Sequence, residues 1–163
     1  IGAAHAYGNS SQVPYSEQFY IGGANSIRAF AVRSVGPGSY LPSADNPNGY
    51  YDQTGTFKLE MNLEYRFPLF SYLKGAVFLD AGNIWLLKDD DNRPGAKLQF
   101  ADMWRQMAVG SGIGLRFDMD MLVIRGDLGY ALHAPYVTGN RGYFNMPNFK
   151  KSLAFHLAIG YPF

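Results

Sequence analysis

The feature that most constrains this chain is an unbroken alternation of apolar and polar residues over positions 56–67. Phe, Leu, Met, Leu, Tyr and Phe occupy the odd positions from 57 onward, and Lys, Glu, Asn, Glu and Arg occupy the even positions between them. A repeat of two places these two sets on opposite faces of a β-strand. The run is longer than the ~5–6 residues typical of strands in soluble proteins. It therefore predicts a long strand in a sheet with one apolar and one polar face.

Further segments of the chain repeat this alternation less strictly. We predict five strands in all, at residues 56–67, 73–86, 106–117, 121–133 and 152–163. Residues 1–8 have the pattern of the end of another strand, and no amphipathic helix of convincing length is visible. The chain is thus expected to be all-β.

The connections between these strands are of two kinds. Short turns at residues 68–72 and 118–120 alternate with long polar segments at residues 87–105 and 134–151. This asymmetry is typical of a transmembrane β-barrel, which has tight periplasmic turns and long extracellular loops. We therefore predict an antiparallel transmembrane β-barrel. A soluble β-sheet domain is an alternative, because its strands also alternate.

Composition and strand number indicate only part of such a barrel. Aromatic residues make up 16% of the chain and charged residues 17%, and the second value lies below the roughly one quarter of a soluble domain. A closed membrane barrel needs at least about eight strands, because an open edge leaves backbone groups unpaired in lipid. The start at Ile1 rather than Met favours a piece of a larger barrel over several chains that close one together.

The sequence gives no support for an enzyme, a metal site or a cofactor. His5, His133 and His156 are far apart and show no metal-ligand spacing. The GSGIG segment at residues 110–114 lies inside a strand pattern with no helix after it, so the phosphate-loop interpretation fails. The DDDN segment at residues 89–92 lacks the spacing of a calcium loop. A formal net charge of +1 indicates no nucleic-acid partner.

Two acidic residues and three glycines lie on the polar face of the predicted sheet. Glu64 and Asp80 follow apolar Leu63 and Leu79 in neighbouring strands. Such acids are solvated in a water-filled lumen, or they are counter-ions of an arginine on an inserted loop. The glycines leave that face nearly bare and give room for something to lie against it; they are Gly110, Gly112 and Gly114.

The segment GGANSIRAF at residues 22–30 resembles the GG-x-x-x-[VI]-R-[GA]-[FY] signature of loop six in the BamA/TamA superfamily of outer-membrane assembly and translocation barrels, the surface antigen D15-like proteins. Further segments resemble the same family in the same order: GPGSY at 36–40, NLEYRFP at 62–68, FLDAGNIW at 78–85, GIGLRF at 112–117 and HLAIGYPF at 156–163. The resemblance runs over essentially the whole chain.

This resemblance implies a sixteen-stranded barrel of which the chain supplies the last strands and loop six, at residues 9–55. In the family, loop six folds back into the lumen. Its arginine, here Arg28, is expected to pack against Asp80, with Glu64 as a second partner. Ala29 stands where BamA-like members usually have glycine. The expected loop-six motif consists of Gly22, Gly23, Ile27, Arg28, Ala29 and Phe30.

The resemblance also implies a function without covalent chemistry. The protein is expected to be integral to the outer membrane of a Gram-negative bacterium, where it assembles, inserts or translocates other proteins. Its implied partners are the lipid bilayer, client β-barrel proteins, accessory lipoproteins or periplasmic chaperones, and upstream POTRA-type domains of the same full-length chain. The competing hypothesis is a passive porin or solute channel.

In the family the mechanism uses a lateral seam, at which the last strand pairs weakly with the first and offers its edge to an incoming strand. Here that strand is residues 152–163, and Gly160 and Pro162 are expected to weaken its closure. The terminal aromatics Tyr161 and Phe163 are expected to form the signal by which the chain itself is inserted. Gating of the seam by Phe163 is the alternative.

Overall fold

The computed structural model of the chain describes residues 1–6, 13–43, 49–119, 122–140, 142–146 and 148–160. Its main feature is one antiparallel sheet of six strands, in which each strand pairs with its neighbours in the sequence. The strands are β1 Gly2–Ala3, β2 Phe57–Phe70, β3 Leu73–Trp85, β4 Ala108–Met119, β5 Leu122–His133 and β6 Leu153–Ile159. Helical segments are short, at Tyr15–Glu17, Gly49–Asp52 and Lys150–Ser152. None of the helices in the described ranges is long and apolar enough to cross a membrane.

The predicted all-β antiparallel fold is confirmed, while the strand ends differ from the prediction. β2 continues to Phe70, because its ladder with β3 resumes after an irregularity between Pro68 and Phe70. β4 begins at Ala108, because residues 101–106 form hydrogen-bonded turns instead. β4 also runs to Met119, so residues 118–119 of the turn predicted at 118–120 belong to this strand, and residue 120 lies outside the described residues.

The two edge strands also differ from the predicted segments. At the start, β1 covers only Gly2–Ala3 of the predicted 1–8, of which residues 7–8 lie outside the described residues. Ser152 belongs to a short 3-10 helix and not to β6. β6 ends at Ile159, because Gly160 has a φ of 103° that extended backbone does not adopt. The described strands form a single sheet, which does not match a two-sheet sandwich.

One face of the sheet is apolar and exposed. Leu63 and Tyr65 of β2 are 70% and 68% exposed, and the same face continues across every long strand. This exposed apolar face comprises Met61, Leu63, Tyr65, Val77, Leu79, Ile113, Leu115, Phe117, Leu128, Phe155, Leu157 and Ile159. A continuous apolar surface of this kind marks contact with lipid or another apolar partner.

The opposite face of the sheet is covered by residues 13–43, which we call the motif loop. Residues 9–12 and 44–48 of the predicted loop six lie outside the described residues. The buried core lies between the motif loop and the sheet. It consists of Ile21, Ile27, Ala29, Phe30 and Val35 of the loop with Ile84, Ala108, Ala131 and Ala134 of the sheet and its margin. The polar face is thus the face on which the loop packs.

Candidate functional site

Two glycines shape the turn that brings the motif loop onto the sheet. Gly22 and Gly23 have φ angles of 103° and 96°, a region that residues with a side chain rarely adopt. The Gly22 N–H donates to the Ser26 hydroxyl at 3.0 Å, and the Gly23 N–H donates to the Phe30 carbonyl at 2.9 Å. A Cβ at Gly22 would lie 2.2 Å from the carbonyl oxygen of Ala31. The turn closes tightly, and residues 26–30, which follow its tip, are buried.

Arg28 is fully buried and lies between two carboxylates of neighbouring strands. Its Nε and Nη2 donate to the two carboxylate oxygens of Asp80 on β3, each at 2.8 Å, and its backbone N–H donates to Asp80 Oδ2 at 3.0 Å. Its Nη1 donates to Glu64 Oε2 on β2. Burial alone would lower the pKa of Arg28, but hydrogen bonds and charge attraction from Asp80 and Glu64 outweigh it and raise this pKa. We call Arg28, Asp80 and Glu64 the arginine clamp.

Two neighbours of the arginine clamp fix its geometry. The ring of Phe78 lies 3.7 Å from the guanidinium carbon of Arg28, so the cation stacks on an aromatic face. Asn62 donates from Nδ2 to Asp80 Oδ1 at 3.1 Å and to the Ser26 carbonyl at 2.9 Å. The carboxylate that receives Arg28 is therefore itself oriented by β2.

The clamp continues into a wider ion-pair network on the same face. Glu64 also accepts from Arg66 and, at 2.9 Å, from Nη2 of Arg116 on β4. Nη1 of Arg116 lies 2.6 Å from Asp127 Oδ1 on β5. Nη1 of Arg125 lies 3.6 Å from Asp127 Oδ2. Charged groups of four strands are thus connected through a buried layer, and such pairs are costly to break one partner at a time.

The three glycines that we predicted as a bare wall have different neighbours. A Cβ at Gly110 would lie 2.2 Å from the Cβ of Ala29, so the loop does approach closely there. A Cβ at Gly112 would lie 2.5 Å from the Phe78 ring, and one at Gly114 would lie 2.4 Å from both Arg116 Nη1 and Asp127 Oδ1. These two glycines leave room for side chains of the sheet itself.

Sequence reasoning missed several residues that hold the loop. A Cβ at Gly129 of β5 would lie 2.5 Å from the Arg28 carbonyl oxygen, so this glycine admits the loop backbone. Asn83 is fully buried and donates from Nδ2 to the Gly38 carbonyl at 2.9 Å. Arg116, Arg125 and Asp127 were also overlooked as site residues. Apart from Asn83, each of these residues is on the polar side of the alternation, and this position is the signal by which the sequence could have identified them.

The remaining predicted site residues take no part in the ion pairs described above. Ile27, Ala29 and Phe30 belong to the core beneath the loop. Tyr161 and Phe163 lie outside the described residues. Within the described part of the chain, no group of three His, Cys, Asp or Glu residues is placed to hold a metal ion. The arrangement is suited to holding a segment in place by charge and packing.

These features define an all-β protein whose sheet turns an apolar face outward and holds its own glycine-rich loop on the polar face. A profile of the Omp85 superfamily domain matches residues 1–163, and the chain belongs to this superfamily. Members of this superfamily are assembly and transport factors and not enzymes. The predicted family is thereby confirmed, together with the outer-membrane β-barrel class.

A curated relative agrees with this membership. The chain is 30% identical over 102 residues to the outer membrane protein assembly factor BamA of Neisseria meningitidis serogroup B. The aligned part covers 59% of this chain and 12% of that protein. The chain therefore matches only a small part of the relative's length.

Proposed function

We propose that this chain is the C-terminal part of an integral outer-membrane β-barrel that inserts or translocates other proteins. In this proposal the barrel has sixteen strands, the exposed apolar face contacts lipid, and the motif loop lies in the lumen. Client β-barrel proteins are the substrates. Accessory lipoproteins or periplasmic chaperones, and POTRA-type domains of the full-length protein, are the proposed partners. Membership in the Omp85 superfamily supports this choice of function.

The observation that carries the proposal is the arginine clamp. A buried guanidinium with two carboxylate partners is expensive to separate, because removal of one partner costs about 3–5 kcal/mol. In a passive pore, a loop fixed across the polar face would serve only to narrow the lumen. A barrel that opens a lateral seam needs a rigid structure on the lumen side of that seam, and the arginine clamp supplies this rigidity.

The proposed seam lies at β6. In the described structure β6 pairs with β5 only, and Phe155, Leu157 and Ile159 on its exposed face are 68–74% exposed. In the proposed barrel β6 is the last strand, and a last strand that pairs weakly with the first offers backbone groups to an incoming strand. Gly160 still donates its N–H to the Val123 carbonyl at 2.7 Å, so pairing with β5 persists to the end of the described segment.

The test uses the full-length protein in cells that depend on it for growth. Arg28→Ala and Asp80→Ala are expected to make the motif loop accessible to protease and to reduce insertion of a client barrel. Loss of about 3–5 kcal/mol lowers the ratio of bound to released loop by more than about a hundredfold. Arg105→Ala is the matched control, because Arg105 is exposed in the segment between β3 and β4.

The same experiment separates assembly from passive transport. Client insertion should fall in the Arg28 and Asp80 variants, and a client should cross-link to a cysteine placed in β6. Normal insertion together with an exposed loop would refute the assembly role. A rise in ion conductance on deletion of the loop, with insertion unaffected, would favour the porin hypothesis.

A further inference from the structure

A second arginine contacts the motif loop at a distance from the arginine clamp. Arg125 lies on β5, and its side chain is only 1% exposed. Its Nη2 donates to the carbonyl oxygen of Ala24 at 2.9 Å and also to Oδ1 of Asn25. Ala24 and Asn25 form the tip of the loop, between the Gly22–Gly23 turn and Arg28.

The hydrogen bonding of Arg125 depends on this tip. The neighbouring carboxylate, Asp127, lies closer to Arg116, at 2.6 Å, than to Arg125, at 3.6 Å. Among the described residues, Nε and Nη1 of Arg125 have no hydrogen-bond partner. The loop therefore supplies the hydrogen-bond acceptors that this buried cation has.

Arg125 and Arg28 hold the loop from different parts of the sheet. Arg28 binds Asp80 and Glu64 on β3 and β2, whereas the carboxylate beside Arg125 is Asp127 on β5. Between them, at the Gly110 position of β4, the sheet has no side chain and Ala29 approaches closely. The two contacts therefore share no carboxylate, although Arg116 connects Glu64 to Asp127.

The position of Arg125 also places it beside the edge of the sheet. Arg125 is opposite Ala158 of β6 in the register of the β5–β6 pair. β6 is the strand that we propose as the seam. A loop tip that is fixed to β5 therefore rests on the strand from which β6 takes its hydrogen bonds.

We propose that Arg125 is a positioning residue and a second anchor of the motif loop. Its guanidinium holds the loop tip, at Ala24 and Asn25, next to the seam strand β6. The role in client insertion rests on the proposed function, and the position of the tip does not. Release of the loop then requires that both the arginine clamp and the Arg125 anchor break.

The test measures maleimide labelling of a single cysteine placed at position 24 in the full-length protein in outer-membrane vesicles. The described sequence contains no other cysteine. Arg125→Ala is expected to raise the labelling rate by at least about tenfold, since a hydrogen bond to a charged group is lost. Asn25→Ala should raise it less, because the Ala24 carbonyl still accepts. Lys58→Ala is the control, since its ammonium pairs with Glu60 of the same strand.

The double variant tests whether the two anchors are independent. If they are, the logarithms of the rate increases for Arg28→Ala and Arg125→Ala add. A double variant that labels no faster than Arg28→Ala alone overturns the independence of the two anchors, and an unchanged rate in Arg125→Ala overturns the second anchor itself. Folding of each variant is checked by the heat-sensitive gel mobility of the folded barrel. If Arg125→Ala fails this check, Asn25→Ala is used in its place, and an unchanged labelling rate in Asn25→Ala refutes the proposal.

Client insertion is measured in the same vesicles as a separate readout. A faster-labelled tip with reduced insertion supports both proposals. A faster-labelled tip with normal insertion leaves the anchor standing and contradicts the proposed function.

Discussion

The contact between Gly110 and Ala29 gives the sharpest prediction about how the motif loop is seated. In Gly110→Ala, the new Cβ would lie 2.2 Å from the Cβ of Ala29. Non-bonded carbons prefer a separation of about 3.5–4.0 Å. Ala29 would have to move away by about 1.3 Å or more, because the sheet backbone at Gly110 is held by its neighbours on both sides.

This displacement reaches the arginine clamp directly, because Ala29 follows Arg28 in the chain. The backbone N–H of Arg28 is 3.0 Å from Asp80, and a shift of this size takes it beyond the ~3.2 Å limit of a good hydrogen bond. Overpacking at a tight site costs about 1–3 kcal/mol. The fraction of molecules with an open loop should then rise by roughly 5- to 150-fold.

A compensating change makes this reasoning testable. In the double variant Gly110→Ala with Ala29→Gly, the clashing methyl group is absent, and the next contacts of the new Cβ are ordinary, at 3.4 Å to the Tyr130 carbonyl oxygen and 3.5 Å to the Cα of residue 29. The double variant should recover most of the protection. A deficit of about 0.5–1 kcal/mol should remain, because the new glycine is more flexible.

The assay is limited proteolysis of the motif loop in the full-length protein in membranes, with cleavage sites identified by mass spectrometry. Gly126→Ala is the control, since a Cβ at Gly126 meets only the Phe155 ring at 3.9 Å. The reasoning is refuted if Gly110→Ala is cleaved no faster than Gly126→Ala. It is equally refuted if Ala29→Gly fails to slow cleavage in the Gly110→Ala background.

Three further substitutions test other contacts of the site. Phe78→Leu removes the ring that stacks on Arg28 and should weaken loop protection by up to about 2 kcal/mol, measured by the same proteolysis. Asn83→Ala leaves the Gly38 carbonyl without its side-chain donor and should lower the free energy of unfolding by about 1–3 kcal/mol, measured by denaturant unfolding of the barrel in detergent. Leu63→Lys should destabilise the barrel in lipid vesicles by about 2–4 kcal/mol if its position is at mid-bilayer, whereas Val137→Lys in a long connection should have no such effect.

The sequence predicted the faces of the sheet well, because the direction of a side chain along a strand depends only on position parity. Glu64 and Asp80 were assigned to one face on this basis, and the structure places both of them on Arg28. The exposed apolar side chains of β2 and β3 follow from the same rule. The strand ends were less predictable, since they depend on local turns such as the one before Ala108.

The register between strands could not be obtained from parity. The pairing of β4 with β5 shifts by one residue between Val109 and Gly110, so that Gly110 is opposite Ala131 and not Leu132. Parity already assigns Gly129 to the polar face of β5, but only the register shows that it lies opposite Gly112 of β4, beneath the loop. For this reason Gly129, which admits the Arg28 backbone, was not singled out while its neighbours on β4 were.

The motif loop itself has no periodicity from which its conformation could be derived, because tertiary contacts determine it. Its footprint on the sheet nevertheless follows from two patterns taken together. On β4 and β5, where the loop backbone comes closest, the sheet has glycine at positions 110 and 129. On β2 and β3, where the guanidinium arrives, the sheet has carboxylates at positions 64 and 80.

Each pattern requires the other. A guanidinium pairs with a carboxylate only when the two groups come within hydrogen-bond distance. The loop backbone that carries Arg28 comes this close to Asp80 because Gly110 and Gly129 have no Cβ to block it. Bare glycines without the acids would leave an unpaired buried cation, and acids without the glycines would be out of reach. Three features together indicate a sheet that binds its own loop. They are an apolar outward face, inward acids on one pair of strands and inward glycines on the next pair.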